Sequence, residues 1–402
     1  MKILVVCQRY YPEQFRITDI CEQMAKDGHE VTVLTGLPNY PDGIVPKEYK
    51  WFRRRKENIH GVQVVRCMEI GRKTGVVRLG INYLSFLCAS AWKTFFLKGN
   101  FDIVLVNQLS PVTMAVPGIL YRALHKTKLY LYCLDLWPES LKAGGVTPQS
   151  ALYKIMLKFS RWVYRHADRI AVTSTAFENY FRDVLKIDAP VTYLPQYAES
   201  LFEEAADPMD ANFPEGIHLV FAGNVGDMQD VDTILRAAGR LRDLSALHIH
   251  IVGGGSRLQH CKELAQELAL TNVHFYGQRP LAEMPAFYAA ADAMLITLKD
   301  DPFISYTLPG KIQTYMSAKK CIIGCANGAT QQAIEAANAG YCCAAGDDAQ
   351  LEQCVRLFVN QIDQKEQYGQ NAYAFYKKHF ERQGFFDTLY RELREVKDDV
   401  SR

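Results

Sequence analysis

Short apolar runs alternate along this chain with longer stretches in which apolar residues recur every three or four positions. In the first half the runs at 3–7, 31–35, 62–67, 103–107, 129–134 and 170–173 have strand length. The periodic stretches at 18–27, 79–97, 114–124 and 152–166 have helix length. Strands that are apolar throughout and separated by helices predict a parallel sheet covered on both faces. The alternation breaks at 193–214, where Pro195, Pro208 and Pro214 stand among acidic residues, a composition that predicts a linker. It then resumes, with strands predicted at 218–222, 248–252, 273–276, 293–296 and 321–324 and helices at 231–241, 259–268, 283–290, from 311 onward, and at 331–337. The chain closes on an amphipathic helix with Phe386, Leu389, Leu393 and Val396 on one side. The pattern therefore predicts an α/β domain over 1–195, a linker over 196–215, a second α/β domain over 216–383, and a helix over 384–402 that is free to cross back to the first domain. Two doubly wound sheets in tandem place the carboxyl ends of their strands across a cleft, where such sheets bind ligands.

Length agrees, because 402 residues exceed what one core usually supports. A formal charge of +2 leaves no broad footprint for nucleic acid but allows local basic patches. The 11 cysteines are scattered, without paired CxxC motifs, and read as small buried hydrophobes of a reducing compartment rather than a disulfide framework or zinc site. The opening MKILVVC ends its apolar run at Gln8 and Arg9, so it reads as a strand and not a secretory signal. Residues 79–97 approach the length of a membrane span, yet they contain Asn82 and Lys93 and are bounded by Arg78 and Lys98. They predict a helix packed on a sheet, with contact to lipid as the alternative.

Candidate chemistry centres on YTLPGKIQTYMSAKK, residues 306–320. Pro309 and Gly310 interrupt an extended run just before a helix, so free backbone N–H groups and the Lys311 ammonium converge where an anion would sit. The alternative is an ordinary first-turn lysine. After the strand at 218–222, the turn containing Gly223 and Gly226 allows backbone amides to approach a pyrophosphate. Gly253, Gly254 and Gly255 follow the next strand, but the full dinucleotide fingerprint is missing. Asp135 ends the strand at 129–134 and Glu139 follows closely; they are either acids that act on an acceptor or on transition-state charge, or a helix cap and a first-turn acid. Arg9, Glu13 and Arg16 follow the first strand, with a surface salt bridge as the alternative to phosphate contact. Asp230 and Asp232 imitate a metal motif but stand at a helix start, which predicts no metal. Over 47–56, Trp51 and Phe52 adjoin Lys47, Lys50, Arg53, Arg54, Arg55 and Lys56. That composition suits an anionic membrane surface, or else a strand edge protected by charge.

Taken in order, KILVVCQRYYPE, GHEVTVLTG, HADRIAVTS, LVFAGNVGDMQ, IVGGGSR, VHFYGQRP and LPGKIQTYMSAKK resemble the retaining, nucleotide-sugar-dependent glycosyltransferases of the GT-B fold, the glycogen-synthase-like family 4 class, over essentially the whole chain. PNYPDG, DLWPES and GNVGDMQ resemble a narrower bacterial branch, the L-fucosamine-transferase-like enzymes, which build surface polysaccharide. The resemblance implies two Rossmann-like, doubly wound domains facing a central cleft. The second would hold a UDP-sugar through Asn224, Gly226, Gln229, Gly254, Gln278, Arg279, Tyr306, Pro309, Gly310, Lys311 and Thr314. The first would hold the acceptor near Asp135, Glu139 and Arg16. The expected reaction moves a sugar, an N-acetylated deoxyhexose, from UDP to a lipid-linked saccharide at the cytoplasmic membrane face, with retention. No cofactor is implied, since the UDP-sugar is a substrate.

The chain departs from the family pattern in four places. The clamp's Arg and Lys are replaced by Asn224 and Gln229, and the paired glutamates fall on Tyr306 and Thr314. Phe15 and Arg16 replace a glycine pair, and no His lies near Asp135. These departures leave two rivals: a catalytically silent nucleotide-sugar-binding module, and a UDP-sugar 2-epimerase, which would need carboxylates and a His in the cleft.

Overall fold

The computed structural model describes residues 1–399 except 41, 73, 74 and 205. The chain forms two compact units: residues 1–173, 177–194 and 388 onward in the first, 174–176 and 195–387 in the second.

The described residues of the first unit form eight strands: β1 (Lys2–Val6), β2 (Glu30–Thr35), β3 (Lys56–Ile59), β4 (Val62–Arg66), β5 (Ile103–Gln108), β6 (Lys128–Cys133), β7 (Arg169–Val172) and β8 (Val191–Tyr193). Their order is β3-β4-β2-β1-β5-β6-β7-β8. Among the described residues only β3 runs antiparallel to its neighbour, through pairs such as Glu57 with Val64. The central β5 is buried along its whole length, as a strand covered on both faces must be. The outer strands β3 and β8 escaped the sequence pattern for one reason: an edge strand faces solvent on at least one side, and KENI and VTY carry no continuous apolar run.

The described residues of the second unit form six strands, all parallel: β9 (Ile217–Ala222), β10 (Leu247–Val252), β11 (Val273–Gly277), β12 (Ala293–Thr297), β13 (Cys321–Cys325) and β14 (Gly340–Cys343). The order β11-β10-β9-β12-β13-β14 puts β10 and β11 on one side of β9 and β12, β13 and β14 on the other. Alternate residues feed two cores, with Val220, Met294 and Ile322 on one face and Leu219, Leu295 and Ile323 on the other. Since β10 and β12 depart from β9 in opposite directions, the chain leaves a crevice at the carboxyl end of β9. The loop after β9, the loop after β10 and the segment after β12 meet there.

Residues 196–215, read from sequence as a linker, belong to the second unit. Phe202 and Ala211 are buried in its core, the Phe202 ring stacks on Tyr288 with centroids 4.7 Å apart, and Phe213 stacks on His250 at 3.7 Å. The prolines there punctuate short 3₁₀ turns, Ser200–Phe202 and Pro208–Ala211, each of which ends on a buried residue. Residue 205 lies outside the described residues. The closing helix, Arg382–Asp398, begins in the second unit and from Thr388 packs with the first. Phe386, Leu389, Leu393 and Val396 are all buried, and the buried Glu392 accepts hydrogen bonds from Tyr130 Oη at 2.6 Å and Thr192 Oγ1 at 2.8 Å. Residues 400–402 of the expected helix lie outside the described residues.

Candidate active site

In the second unit the site grows from the helix Gly310–Ser317. Pro309 occupies its N-cap with extended backbone and offers no side-chain hydrogen bond, so the first turn keeps unfilled amide donors. Lys311 folds back into the crevice. Its Nζ is buried with no hydrogen-bond partner, 4.1 Å from the centroid of the Phe221 ring at the end of β9. A methyl group at Gly223 would come within 3.3 Å of the same Nζ. Burial alone pulls the Lys311 ammonium down to about 7. A cation at the positive end of a helix, without a counter-charge, is held in a place that favours its neutral form. An anion seated beside it reverses both penalties.

The glycine turns frame that position. A Cβ on Gly253 would lie 1.7 Å from the Gly223 carbonyl oxygen, so the loops after β9 and β10 touch main chain to main chain. Gly223 N donates to Val252 O at 2.9 Å and Val225 N to Gly254 O at 2.8 Å. The glycine triplet thus serves the contact between loops. Asn224 Nδ2 donates to Gln229 Oε1 at 3.0 Å, and Gly226 lies beneath the pair, where a Cβ would come within 2.7 Å of Asn224 and 2.8 Å of Gln229. Gln278 follows β11 and lies against Gly254. Lys311, Gly223, Asn224, Gly226, Gln229, Gly254 and Gln278 are therefore brought to neighbouring loop ends.

Other expected donor residues are placed differently. Arg279 is exposed and lies 3.7 Å from Glu283, and the half-buried Tyr306 ends the 3₁₀ turn Ile304–Tyr306. Thr314 is buried, and its hydroxyl donates to Gly310 O within its own helix at 3.1 Å. Phe221, the platform under Lys311, was missed from sequence because inside an apolar strand it looked like any core residue. Lys299 was missed too. It pairs with Asp227 at 2.6 Å and brings a cation from the end of β12 to the loop after β9.

Asp230 and Asp232 are taken up by protein. Asp230 is the N-cap of the helix Val231–Arg240, yet its carboxylate accepts from the Thr233 hydroxyl, at 2.6 Å, and not from a backbone amide. Asp232 accepts from Arg257 at 2.8 Å and binds His260 at 2.8 Å. Burial raises its carboxyl, but these partners hold it below its ordinary value.

In the first unit Asp135 lies just beyond β6. Ser110 Oγ donates to its Oδ2 at 2.7 Å and in turn accepts from Trp137 Nε1 at 2.9 Å. The N-cap of the following 3₁₀ turn, Glu139–Gly144, is Pro138, so Asp135 is not that cap. Burial pushes its carboxyl up, against the pull of Ser110. Glu139 is buried more deeply. Tyr153 and Tyr180 both donate to its Oε1 and Lys142 pairs with its Oε2. Burial opposes ionisation, but these partners hold the carboxyl below its usual range, and they account for Glu139 as an internal anchor. Arg16 is half-buried at the first position of the helix Arg16–Lys26, close enough to act electrostatically on Tyr132.

The surface salt bridge considered for Arg9 and Glu13 is instead a buried network. Arg9 lies 3.4 Å from Glu13 and 3.6 Å from Glu69, which also accepts from Gln8 at 2.9 Å, Asn39 at 3.1 Å and Asn82 at 2.6 Å. Burial raises the Glu69 carboxyl to about 7. Glu13 accepts from the amides of Asn39 and Tyr40, at 2.7 and 2.6 Å, and so fixes the start of PNYPDG, whose Pro41 lies outside the described residues. Glu13, Asn39 and Tyr40 line a hollow of about 120 Å³.

Two family models match the two halves: "Glycosyl transferase 4-like domain" over residues 14–196 and "Glycosyl transferases group 1" over 207–375. The chain is a glycosyltransferase of that family 4 class, and its fold is GT-B. It is similar to the putative colanic acid biosynthesis glycosyl transferase WcaI of Escherichia coli K12, with 24% identity over 315 residues, 74% of this chain and 77% of the relative. The sucrose-phosphate synthase of Thermosynechococcus elongatus superposes with a TM-score of 0.77 at 17% identity, covering 98% of this chain and 99% of that one. HepE of Anabaena, solved in complex with UDP, superposes with a TM-score of 0.73 at 15% identity, covering 98% of this chain and 100% of that one.

Proposed function

We propose that this glycosyltransferase moves a sugar, an N-acetylated deoxyhexose, from a UDP donor to a lipid-linked saccharide during bacterial surface polysaccharide synthesis, in the manner of an L-fucosamine-transferase-like enzyme. The buried, partnerless ammonium of Lys311 at an uncapped helix start carries the reading: it is a charge without a counter-charge, at the crevice where such sheets take phosphates. The UDP complex of HepE, a protein of the same fold, is consistent with that occupant. The diphosphate would lie against Lys311, the first-turn amides and the loops at Gly223, Asn224 and Gly254, with Gln278 beside the base. Asp135, its carboxylate steered by Ser110, would face the acceptor or the positive charge that builds on the sugar ring. Departure of the diphosphate, followed by its uptake of the acceptor's proton on the same face, would retain configuration. The UDP-sugar is consumed as substrate, and no cofactor or metal enters the scheme. The enzyme would work from the cytoplasmic side, with the basic and aromatic segment 47–56 against the inner membrane.

Replacing Lys311 with Ala tests the donor site. A charge-assisted contact to phosphate is worth about 1.5–3 kcal/mol, so UDP affinity should fall roughly 10- to 150-fold by calorimetry. Unchanged affinity in a folded variant removes Lys311 from the site. A catalytically silent module is the second reading, favoured by Tyr306 and Thr314 at the glutamate positions and by the engagement of the Thr314 hydroxyl within its helix. UDP binding without donor consumption, in membrane extract supplied with a panel of UDP-sugars, would establish it.

A further inference from the structure

The helix Val76–Thr94 is turned inside out. Its buried positions include Asn82, Phe86, Ser90 and Thr94, and the polar groups among them are satisfied at home. Asn82 Nδ2 donates to Glu69 Oε1 at 2.6 Å and to Ile70 O at 2.7 Å, Ser90 Oγ to Phe86 O at 2.6 Å, and Thr94 Oγ1 to Ser90 O at 2.9 Å. Its exposed apolar side chains are Val77, Ile81, Leu84, Cys88 and Trp92, with Phe95 just past its end; Arg78 and Gly80 are exposed beside them. At ~100° per residue the six apolar residues fall in a stripe about 80° wide. Trp92 is 68% exposed, Val77 77% and Leu84 59%, so the apolar stripe faces outward.

Charge identifies what covers it. Residues 72–101 contain Arg72, Lys73, Arg78, Lys93 and Lys98 and no carboxylate. Pairing this face with a second copy would set cations against cations, whereas an anionic surface complements them. The neighbouring segment continues the character: Met68 and Ile70 are exposed, and Ile70 N donates to Ser85 Oγ on the helix at 3.0 Å. Burial pushes the Cys67 thiol up to about 12 against the pull of Lys93 and Arg55, so the end of the helix and the basic segment flank one residue. Within that basic segment Trp51 and Phe52 are 86% and 74% exposed, with φ of 53° and 62°. Two bulky residues held in the left-handed region represent backbone strain retained to display two aromatic rings.

We propose that the outward face of the helix Val76–Thr94, extended by Phe95 and Phe96 and joined by Trp51 and Phe52, inserts into the headgroup–acyl boundary of an anionic membrane as a monotopic anchor. Among the described residues no helix is long and apolar enough to cross a membrane. The geometry is that of a helix lying in the interface, with apolar side chains below and cations at headgroup level. The proposal deepens the reading of a lipid-linked acceptor and rests on it for its purpose.

The test uses the full chain and sugar-free vesicles, either phosphatidylglycerol with phosphatidylcholine or phosphatidylcholine alone, so that its outcome is independent of acceptor and transfer. The wild type should sediment with the anionic vesicles, and a variant carrying Ile81→Ser, Leu84→Ser and Trp92→Ser should bind them at least about tenfold more weakly. Replacing Arg78 and Lys98 with Ser should weaken binding to anionic vesicles by about fivefold per lost cation and leave binding to neutral vesicles unchanged. An unchanged circular dichroism spectrum and melting profile certify each variant as folded, since the changes lie on exposed positions. Wild-type protein that ignores anionic vesicles, or a triple variant that binds them as wild type does, overturns the proposal. So does a wild-type dimer that the triple variant dissociates while vesicle binding persists, because the stripe would then pair two copies.

Discussion

At the scale of single residues, the two units pose opposite problems: a base made acidic in the second and acids made basic in the first. Lys311, drawn down to about 7 by burial, gives up part of its charge at neutral pH. A bound diphosphate favours the ammonium, so binding must raise the lysine's affinity for its proton, and by linkage the proton must raise affinity for the diphosphate. UDP affinity is therefore expected to fall as pH rises through 7 and beyond, above the range near 6 in which the terminal phosphate of UDP itself titrates. Calorimetry in buffers of different ionisation enthalpy should show proton uptake on binding at pH 8. Proton release, or affinity flat from pH 6 to 9, would contradict the geometry of a buried, partnerless amine. Asp135 tests separately. Asp135→Asn should cut turnover by two to four powers of ten, roughly the usual worth of a positioned acid or base, while changing UDP affinity little, since the donor residues lie on the other unit. Because Ser110 still finds an oxygen to donate to, the fold should survive. A variant with near-normal turnover and a lowered melting temperature would make Asp135 a structural group instead.

At the scale of elements, the interior strands of each sheet were legible, and of the rim strands only β11 was. Strands β1, β5, β9 and β12 announce themselves because a strand covered on both faces can be apolar at every position. The edge strands β3, β8 and β14 cannot, and residues 196–215 looked like a linker because their few apolar side chains are spread among prolines and acids. The same division holds for the site. Lys311 could be found because a cation directly after Pro-Gly at a helix start is a local signal. Its lack of a partner and its seat over Phe221 arise from packing between residues 90 apart, which no local pattern encodes. The engagement of the Thr314 hydroxyl with Gly310 is equally silent in sequence, although the loss of the glutamate is plain. At the helix Val231–Arg240 the sequence suggested a metal motif only to reject it, and the partners now visible give the reason a consequence. Asp232 is held by Arg257 and His260, and Asp230 by Thr233, so neither carboxylate is free to serve a phosphate-bound ion. Turnover is expected to persist in EDTA. Loss of activity on chelation, restored by manganese or magnesium, would show that these contacts open when the donor binds.

At the scale of the whole molecule, the two units should answer acid in opposite directions, because burial has acted on carboxyls in one and imidazoles in the other. In the first unit burial raises Glu13, Glu69 and Asp135, with Glu69 near 7. A carboxyl whose folded pKa exceeds its unfolded value binds protons more readily when folded, so its contribution grows as pH falls from about 7 toward the unfolded range near 4. Burial raises Glu178 too, and His29, lowered by burial, opposes these in the same unit, one base against four acids. In the second unit His218, His248, His250 and His274 line one face of β9, β10 and β11, joined by ring contacts of 3.2 Å between His218 and His250 and between His248 and His274. Burial lowers His218 and His274 and takes His250 to about 2. Folding thus favours the neutral imidazole at His218, His250 and His274. Their contribution is complete above the unfolded value near 6.5 and is lost progressively as pH falls below it. Glu139, Asp168 and Asp232, all held below their ordinary values, matter only at lower pH. Between pH 7 and 5, then, the first unit should gain stability and the second should lose it. Hydrogen exchange read by mass spectrometry, corrected for the intrinsic pH dependence of exchange, would separate peptides of β5 from peptides of β10. Protection should rise in the former and fall in the latter, and His250→Gln should flatten the second trend while leaving the first intact. If both sets of peptides move together, the units unfold as one and the separate titrations of the buried carboxyls and the histidine ladder do not govern the acid response.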